Sequence, residues 1–259
     1  MTSYAPNWIE LEGVVNIRDV GGLPTADGRR IRPGVLIRSA NLSSISEADV
    51  ARLVNELGVR RVLDLRTEVE VRNSEPGLLR GTDEVTFHHL SLYPEGAPGE
   101  SDSPNPVAPW AGERYPEGCD PQLVSYLRYL DRRPDSIVAA LRAIAEPDGA
   151  TVVHCAAGKD RTGMVIALAL SVAGVPPAVI AADYAQTQSQ VMAIIEQLAG
   201  IILYELNVTD PDRLPPAEAA TMLGVLDTIE ADHGGVLSWL AGHGWTERDT
   251  ERLRATLVE

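Results

Sequence analysis

The chain has 259 residues, 44% of them hydrophobic and only 5% aromatic, which is material for one large α/β domain with an aliphatic core. Its formal charge of −15 argues against nucleic acid or an anionic membrane as the main partner. Two cysteines, Cys119 and Cys155, exclude a disulfide framework and point to free thiols in a reducing, cytoplasmic compartment.

No segment reads as a secretory signal. The apolar run 164–175 has about half the ~20 residues needed to cross a bilayer, so no membrane insertion is expected. Residues 14–20 and 35–38 read as short strands around a glycine-rich turn. Residues 46–57 read as a helix, with Ser46 and Asp49 as a capping box and Gly58 as the stop. Strands follow at 59–65 and 85–92. Residues 93–121 are dense in Pro, Gly and acidic side chains, the composition of a long functional or mobile loop. Helices are expected at 121–130 and 135–145, a buried strand at 151–154, and a helix apolar nearly all round at 162–175.

Beyond residue 176 the pattern is helical only. Val191, Ile194, Ile195, Leu198 and Ile202 form one apolar face, and 217–229 and 247–257 are further helices. Alternating β and α followed by α predicts a mostly parallel central sheet flanked by helices, with a C-terminal helical extension. We read residues 1–259 as a single domain, with a catalytic core over 12–175 and the extension over 176–259.

The chemistry concentrates in His154-Cys155-Ala156-Ala157-Gly158-Lys159-Asp160-Arg161-Thr162-Gly163, where a strand enters a loop and the loop enters a helix. Such a junction aims backbone N–H groups and a helix dipole at one spot, a cradle suited to a phosphate dianion. Ala156, Ala157, Gly158 and Lys159 form its wall, and Gly163 lets the helix pack closely. The same groups stabilise a thiolate at Cys155. Arg161, six residues on, offers a planar fork for two phosphate oxygens. Thr162 can hydrogen-bond the sulfur, and His154 braces the loop. Lys159 is the chain's one lysine and adds charge at the rim. A nucleotide-binding loop would need a GK[ST] ending, which is missing. Adjacent His154 and Cys155 without spaced partners do not make a metal site, and no metal or other cofactor is expected. A phosphate-binding module without turnover, and arsenate reduction or sulfur transfer with Cys119 as a second thiol, are the rival classes. Cys119 could also protect Cys155 as a disulfide.

HCAAGKDRTG resembles the signature of the bacterial tyrosine/serine phosphatase family within the protein tyrosine phosphatase superfamily. Asn16-Ile-Arg18-Asp19-Val-Gly21-Gly22, Leu36-Ile-Arg38-Ser39-Ala40 and Asp64-Leu65-Arg66 resemble three further elements of that family, in the same order. The resemblance implies hydrolysis of phosphate monoesters through a cysteinyl-phosphate on Cys155, with Arg161 and the loop amides holding the phosphoryl group. It also implies that the helical extension is a lid over the site; a homodimer interface is the alternative use of that face. Phosphotyrosyl protein is the first substrate expectation, with phosphoserine/threonine activity beside it. A phosphoinositide is the alternative, because Lys159-Asp160 resembles lipid phosphatases. Two carboxylates compete as general acid, Asp64 at a strand end and Asp160 in the loop, with Asp102 an outsider. Arg18, Arg38 and Arg66 are either anion contacts or structural ion-pair partners.

Overall fold

Strands β3 (Leu36–Ser39), β4 (Val59–Asp64) and β6 (Ala150–His154) are buried almost throughout, because helices cover both of their faces. The structure, a computed structural model, describes residues 5–94, 118–199 and 215–259. With β5 (Thr86–His89) at one edge, these strands pair in parallel in the order β3-β6-β4-β5. β1 (Asn7–Trp8) and β2 (Arg18–Asp19) extend the sheet antiparallel beyond β3. The sheet is thus mostly parallel, as expected. Its period-2 alternation divides the core: Leu36, Leu63 and Val153 face one layer, and Ile37, Val62 and Val152 the other.

The smaller layer holds α1 (Glu47–Ala51), which runs on as a π turn over Arg52–Glu56 and buries Leu53 and Val54. Ser46 and Asp49 form the expected capping box, and Gly58 ends the segment at φ 64°. The larger layer holds α3 (Pro121–Arg132), α4 (Pro134–Ile144) and the almost wholly buried α5 (Asp160–Val172). The strand expected over 14–20 contracts to Arg18–Asp19, because Asn16 at φ 51° takes a left-handed conformation that breaks an extended run. The strand expected over 85–92 contracts to Thr86–His89. A short helix, α2 (Glu68–Arg72), follows β4.

The C-terminal helices divide. α6 (Pro177–Ala185), α8 (Ala219–His233), α9 (Val236–Gly242) and α10 (Glu247–Leu257) bury Ile180, Met222, Val225, Leu240, Leu253 and Leu257 in the same core as α5. α7 (Val191–Ala199) instead lays Ile194, Ile195 and Leu198 on Ala156 and Ala157. Ile202 lies outside the described residues. No helix among the described residues is long and apolar enough to cross a membrane.

Candidate active site

Three parallel strands end side by side, with Ser39 and Asp64 both in register with His154. In open α/β sheets, ligands bind outside such carboxyl ends. The loop after β6 lies there, and three of its carbonyls are tied outward. Ala156 O accepts from Asn41 N at 2.9 Å, Ala157 O from Asn16 Nδ2 at 2.9 Å, and Gly158 O from Arg38 Nη2 at 2.9 Å. In a planar trans peptide the next N–H points the opposite way, so the amides of Ala157, Gly158 and Lys159 turn inward around Cys155. Cys155 itself is buried, at 2% exposure.

Gly158 has φ 68°, and a Cβ there would sit 2.5 Å from the Ser39 carbonyl carbon. Gly158→Ala is therefore expected to push the loop off β3 and break the Arg38 bond. A displacement of about 1 Å costs on the order of 10²-fold in kcat/KM. Steady-state kinetics beside a thermal melt will check this. An unchanged kcat/KM would mean that the loop tolerates the shift.

The clamps on the loop are themselves clamped. Asp183, at the end of α6, accepts from Arg18 Nε at 3.0 Å and Arg38 Nη1 at 2.7 Å, and all three side chains are buried. Burial alone would raise the Asp183 carboxyl, but the two guanidiniums outweigh it and hold it below the usual carboxylate range. Arg18 also donates to Asn16 Oδ1 at 2.8 Å. Arg18 and Arg38 are thus ion-pair partners that shape the cradle from behind.

Arg161 is buried, and its fork is bidentate to Glu70, at 2.5 and 2.9 Å. Glu70 is the N3 residue of the α2 capping box and also accepts from Thr67 N at 2.7 Å. The Arg161 guanidinium lies 5.1 Å from the centroid of the Tyr93 ring. Burial would lower the Arg161 pKa, but the Glu70 charge raises it well above normal. The Thr162 hydroxyl is buried without a hydrogen-bond partner among the described residues, so the bond expected to Cys155 is not made in this state. A Cβ at Gly163 would lie 2.9 Å from the Tyr184 ring, so this glycine is what lets α6 pack against α5.

Asp64 is 1% exposed, and Arg66 grips it with Nε at 2.9 Å and Nη2 at 2.7 Å. Arg80 Nη2 reaches it at 3.4 Å and His154 Nε2 at 3.7 Å. Burial alone would raise this carboxyl; His154 and Arg66 reverse the sign and hold it well below the usual range. Burial pushes His154 down to about 4, so at neutral pH it is uncharged and the Arg66 fork is what keeps Asp64 ionised. His154 Nδ1 lies 3.2 Å from Cys155 O, which fits a brace. Arg66 also donates to Asn41 and Ser74, so it is committed to structure.

Asp160 stands differently, with a third of its side chain exposed. Tyr126 Oη donates to its Oδ1 at 2.5 Å and Gln122 Nε2 at 3.1 Å, with Lys159 Nζ at 3.5 Å from the same oxygen. Burial would raise this carboxyl, but Lys159, Tyr126 and Gln122 together lower it. Lys159 Nζ also donates to the Pro215 carbonyl, which turns its charge toward the C-terminal segment. Cys119, half-buried, and Cys155 are both free thiols. Asp102 lies outside the described residues.

Sequence reasoning passed over Glu70, Asp183 and Tyr126. Thr67-Glu-Val-Glu70 after the strand carries a capping-box signal that could have placed Glu70. Asp183 sits in the largely apolar α6 and Tyr126 in the amphipathic α3, and no local pattern marks either.

Residues 9–259 match the model of the tyrosine phosphatase family. The triple specificity protein phosphatase PtpB of Mycobacterium tuberculosis is 29% identical, over 96% of this chain and 98% of its own. A tyrosine-protein phosphatase of Nostoc commune is 27% identical, over 90% of this chain and 78% of its own.

Proposed function

The chain belongs to the tyrosine phosphatase family, and from that premise we propose that it hydrolyses phosphotyrosyl protein through a cysteinyl-phosphate on Cys155. The observation that carries this reading is the loop itself. Outward-tied carbonyls turn its amides toward a buried cysteine, and a buried arginine fork stands six residues on.

In the first step Cys155 Sγ attacks phosphorus in line, the S–P bond forms and the P–O ester bond breaks. The leaving oxygen takes a proton from Asp160. In the second step water attacks phosphorus, Asp160 accepts its proton, and the S–P bond breaks to return the thiolate and inorganic phosphate. The amides of Ala156, Ala157, Gly158 and Lys159, with the Arg161 N–H groups that Glu70 does not take, hold the non-bridging oxygens throughout. Asp160 is preferred over Asp64 as the acid because it is partly exposed in the loop. Asp64 is enclosed, and the Arg66 fork takes both of its oxygens.

Phosphotyrosyl protein stands first because relatives that match most of this chain carry tyrosine or triple specificity in their names. Phosphoserine/threonine comes second. Phosphoinositide comes third, since Lys159 is turned to Pro215 and Asp160 in this state. Ile194, Ile195 and Leu198 lie on Ala156 and Ala157, which supports α7 as a lid that must swing to admit substrate. That apolar face is already covered within the chain, which favours the lid over a homodimer interface.

Phosphotyrosyl, phosphoseryl and phosphoinositide substrates assayed side by side test the ranking, and acid quench with labelled substrate tests the intermediate. The phosphotyrosyl peptide is expected to show the highest kcat/KM, with label recovered on the peptide containing Cys155. A higher value for the phosphoinositide would overturn the ranking. Turnover without label on that peptide would overturn the mechanism.

A further inference from the structure

Tyr126 and Tyr184 are both 1% exposed, and the cradle reading uses neither. Their hydroxyls lie 2.6 Å apart, and Gln122 Nε2 reaches Tyr126 Oη at 2.7 Å and Tyr184 Oη at 3.0 Å. Hydrogen bookkeeping fixes the direction of this cluster. Each phenol has one proton and the carboxamide nitrogen has two. Asp160 Oδ1 is the one group that must accept, so Tyr126 donates to it, and the Tyr184 proton is then free to donate to Tyr126. Gln122 supplies a second donor to Oδ1. The chain of donors therefore runs one way and ends on Oδ1. Asp160 Oδ2 has no hydrogen-bond partner among the described residues, and the side chain is a third exposed.

We propose that Tyr126 and Gln122, braced by Tyr184, are positioning residues. They clasp Oδ1 of Asp160 so that Oδ2 alone carries the proton given to the leaving oxygen and taken back from water. The proposal rests on Asp160 being the acid. Without the clasp, the carboxyl could rotate and carry its proton on either oxygen. Donors on Oδ1 also favour the carboxylate, so the clasp tunes the carboxyl as well as aiming it. The groups facing Asp160 are Lys159 and Arg161 from its own segment, Tyr126 and Gln122 from α3, and Tyr184 from α6. Tyr93 and Tyr129 lie behind, and Asp120 acts on Tyr184. Burial keeps Tyr126 and Tyr184 protonated far above the ordinary phenol range, so they stay donors at every working pH.

The test uses Tyr126→Phe, which keeps the ring stacked on Tyr129 and edge-on to Tyr184. Gln122→Met, a half-buried change, is the second variant should Tyr126→Phe fold poorly. Turnover is measured on aryl phosphates whose leaving phenols span pKa about 7 to 10. A misplaced acid matters most for the poorest leaving group. Tyr126→Phe is expected to lower kcat about tenfold on phenyl phosphate and less than about threefold on p-nitrophenyl phosphate. The basic limb of its kcat–pH profile should move up by about one unit, because a donor to the carboxylate is gone. Adding Asp160→Asn to Tyr126→Phe should cost no more than Asp160→Asn alone. Equal losses on every leaving group, with losses that add in the double variant, would show a structural role only and overturn the clasp. If Asp160→Asn steepens the leaving-group dependence and neither clasp variant does, the clasp fails and the acid assignment stands. If Asp160→Asn itself leaves the dependence unchanged, both fail.

Discussion

Cys155→Ser is expected to reduce turnover of a phosphotyrosyl peptide by about 10⁵-fold or more, the scale seen when a covalent nucleophile is removed. A serine hydroxyl is a far weaker nucleophile than a thiol at neutral pH and has no hydrogen-bonded base among the described residues. His154, the nearest imidazole, is turned to the Cys155 carbonyl and to Asp64. The loop should keep its shape, because its carbonyls are held by Asn41, Asn16 and Arg38 rather than by the sulfur. Binding of the peptide, measured by calorimetry, should therefore stay within about threefold while kcat collapses, the pattern of an interaction made only in the transition state. A variant that turns over within tenfold of the parent would place the nucleophile elsewhere.

Asp183→Ala should be the most damaging single change to stability outside the hydrophobic core. It leaves Arg18 and Arg38 facing each other, both buried, with no carboxylate between them. Removing one partner of a buried ion pair costs about 3–5 kcal/mol, so the variant sits near or below the threshold of folding for an ordinary domain. Asp183→Asn keeps one carbonyl oxygen to accept from one guanidinium but turns an NH2 donor toward the other, so it should lose less than Asp183→Ala without being neutral. The pH dependence carries the same sign. The Asp183 carboxyl is held below its unfolded value, so its contribution is complete above about pH 3.9 and is lost as pH falls through the folded value. Asp64 and Asp160 act in the same direction. Acid denaturation followed by circular dichroism should be steep for the parent and shallower for Asp183→Asn. Parallel acid transitions in the two would sink the argument. Loss of stability here should also reach catalysis, since Arg38 holds Gly158 and Arg18 holds Asn16.

Much of the site was legible because it is local. Cys155, Gly158, Arg161 and Gly163 lie within nine consecutive residues, and the strand–loop–helix junction that gathers them follows from short-range preferences. Ser46 with Asp49 and Gly58 marked a helix for the same reason, and the alternating order of β and α segments marked the parallel sheet. The strand expected over 14–20 failed at one residue, Asn16, whose left-handed backbone is stabilised by bonds to Ala157 and Arg18, which lie far along the chain or across the turn.

The sequence by itself determined the cradle, the fold class and the family signature, because each depends on residues close in the chain or on hydrophobic periodicity. Only the tertiary structure decided how the charges pair. It placed Glu70 on Arg161, Asp183 between Arg18 and Arg38, Arg66 on Asp64, and Tyr126 on Asp160. Two carboxylates that looked alike in sequence thus became different groups, one enclosed by guanidinium and one clasped at the mouth of the loop. Coulomb energies and hydrogen bonds depend on distance and burial, and those are set by which helices pack against the sheet.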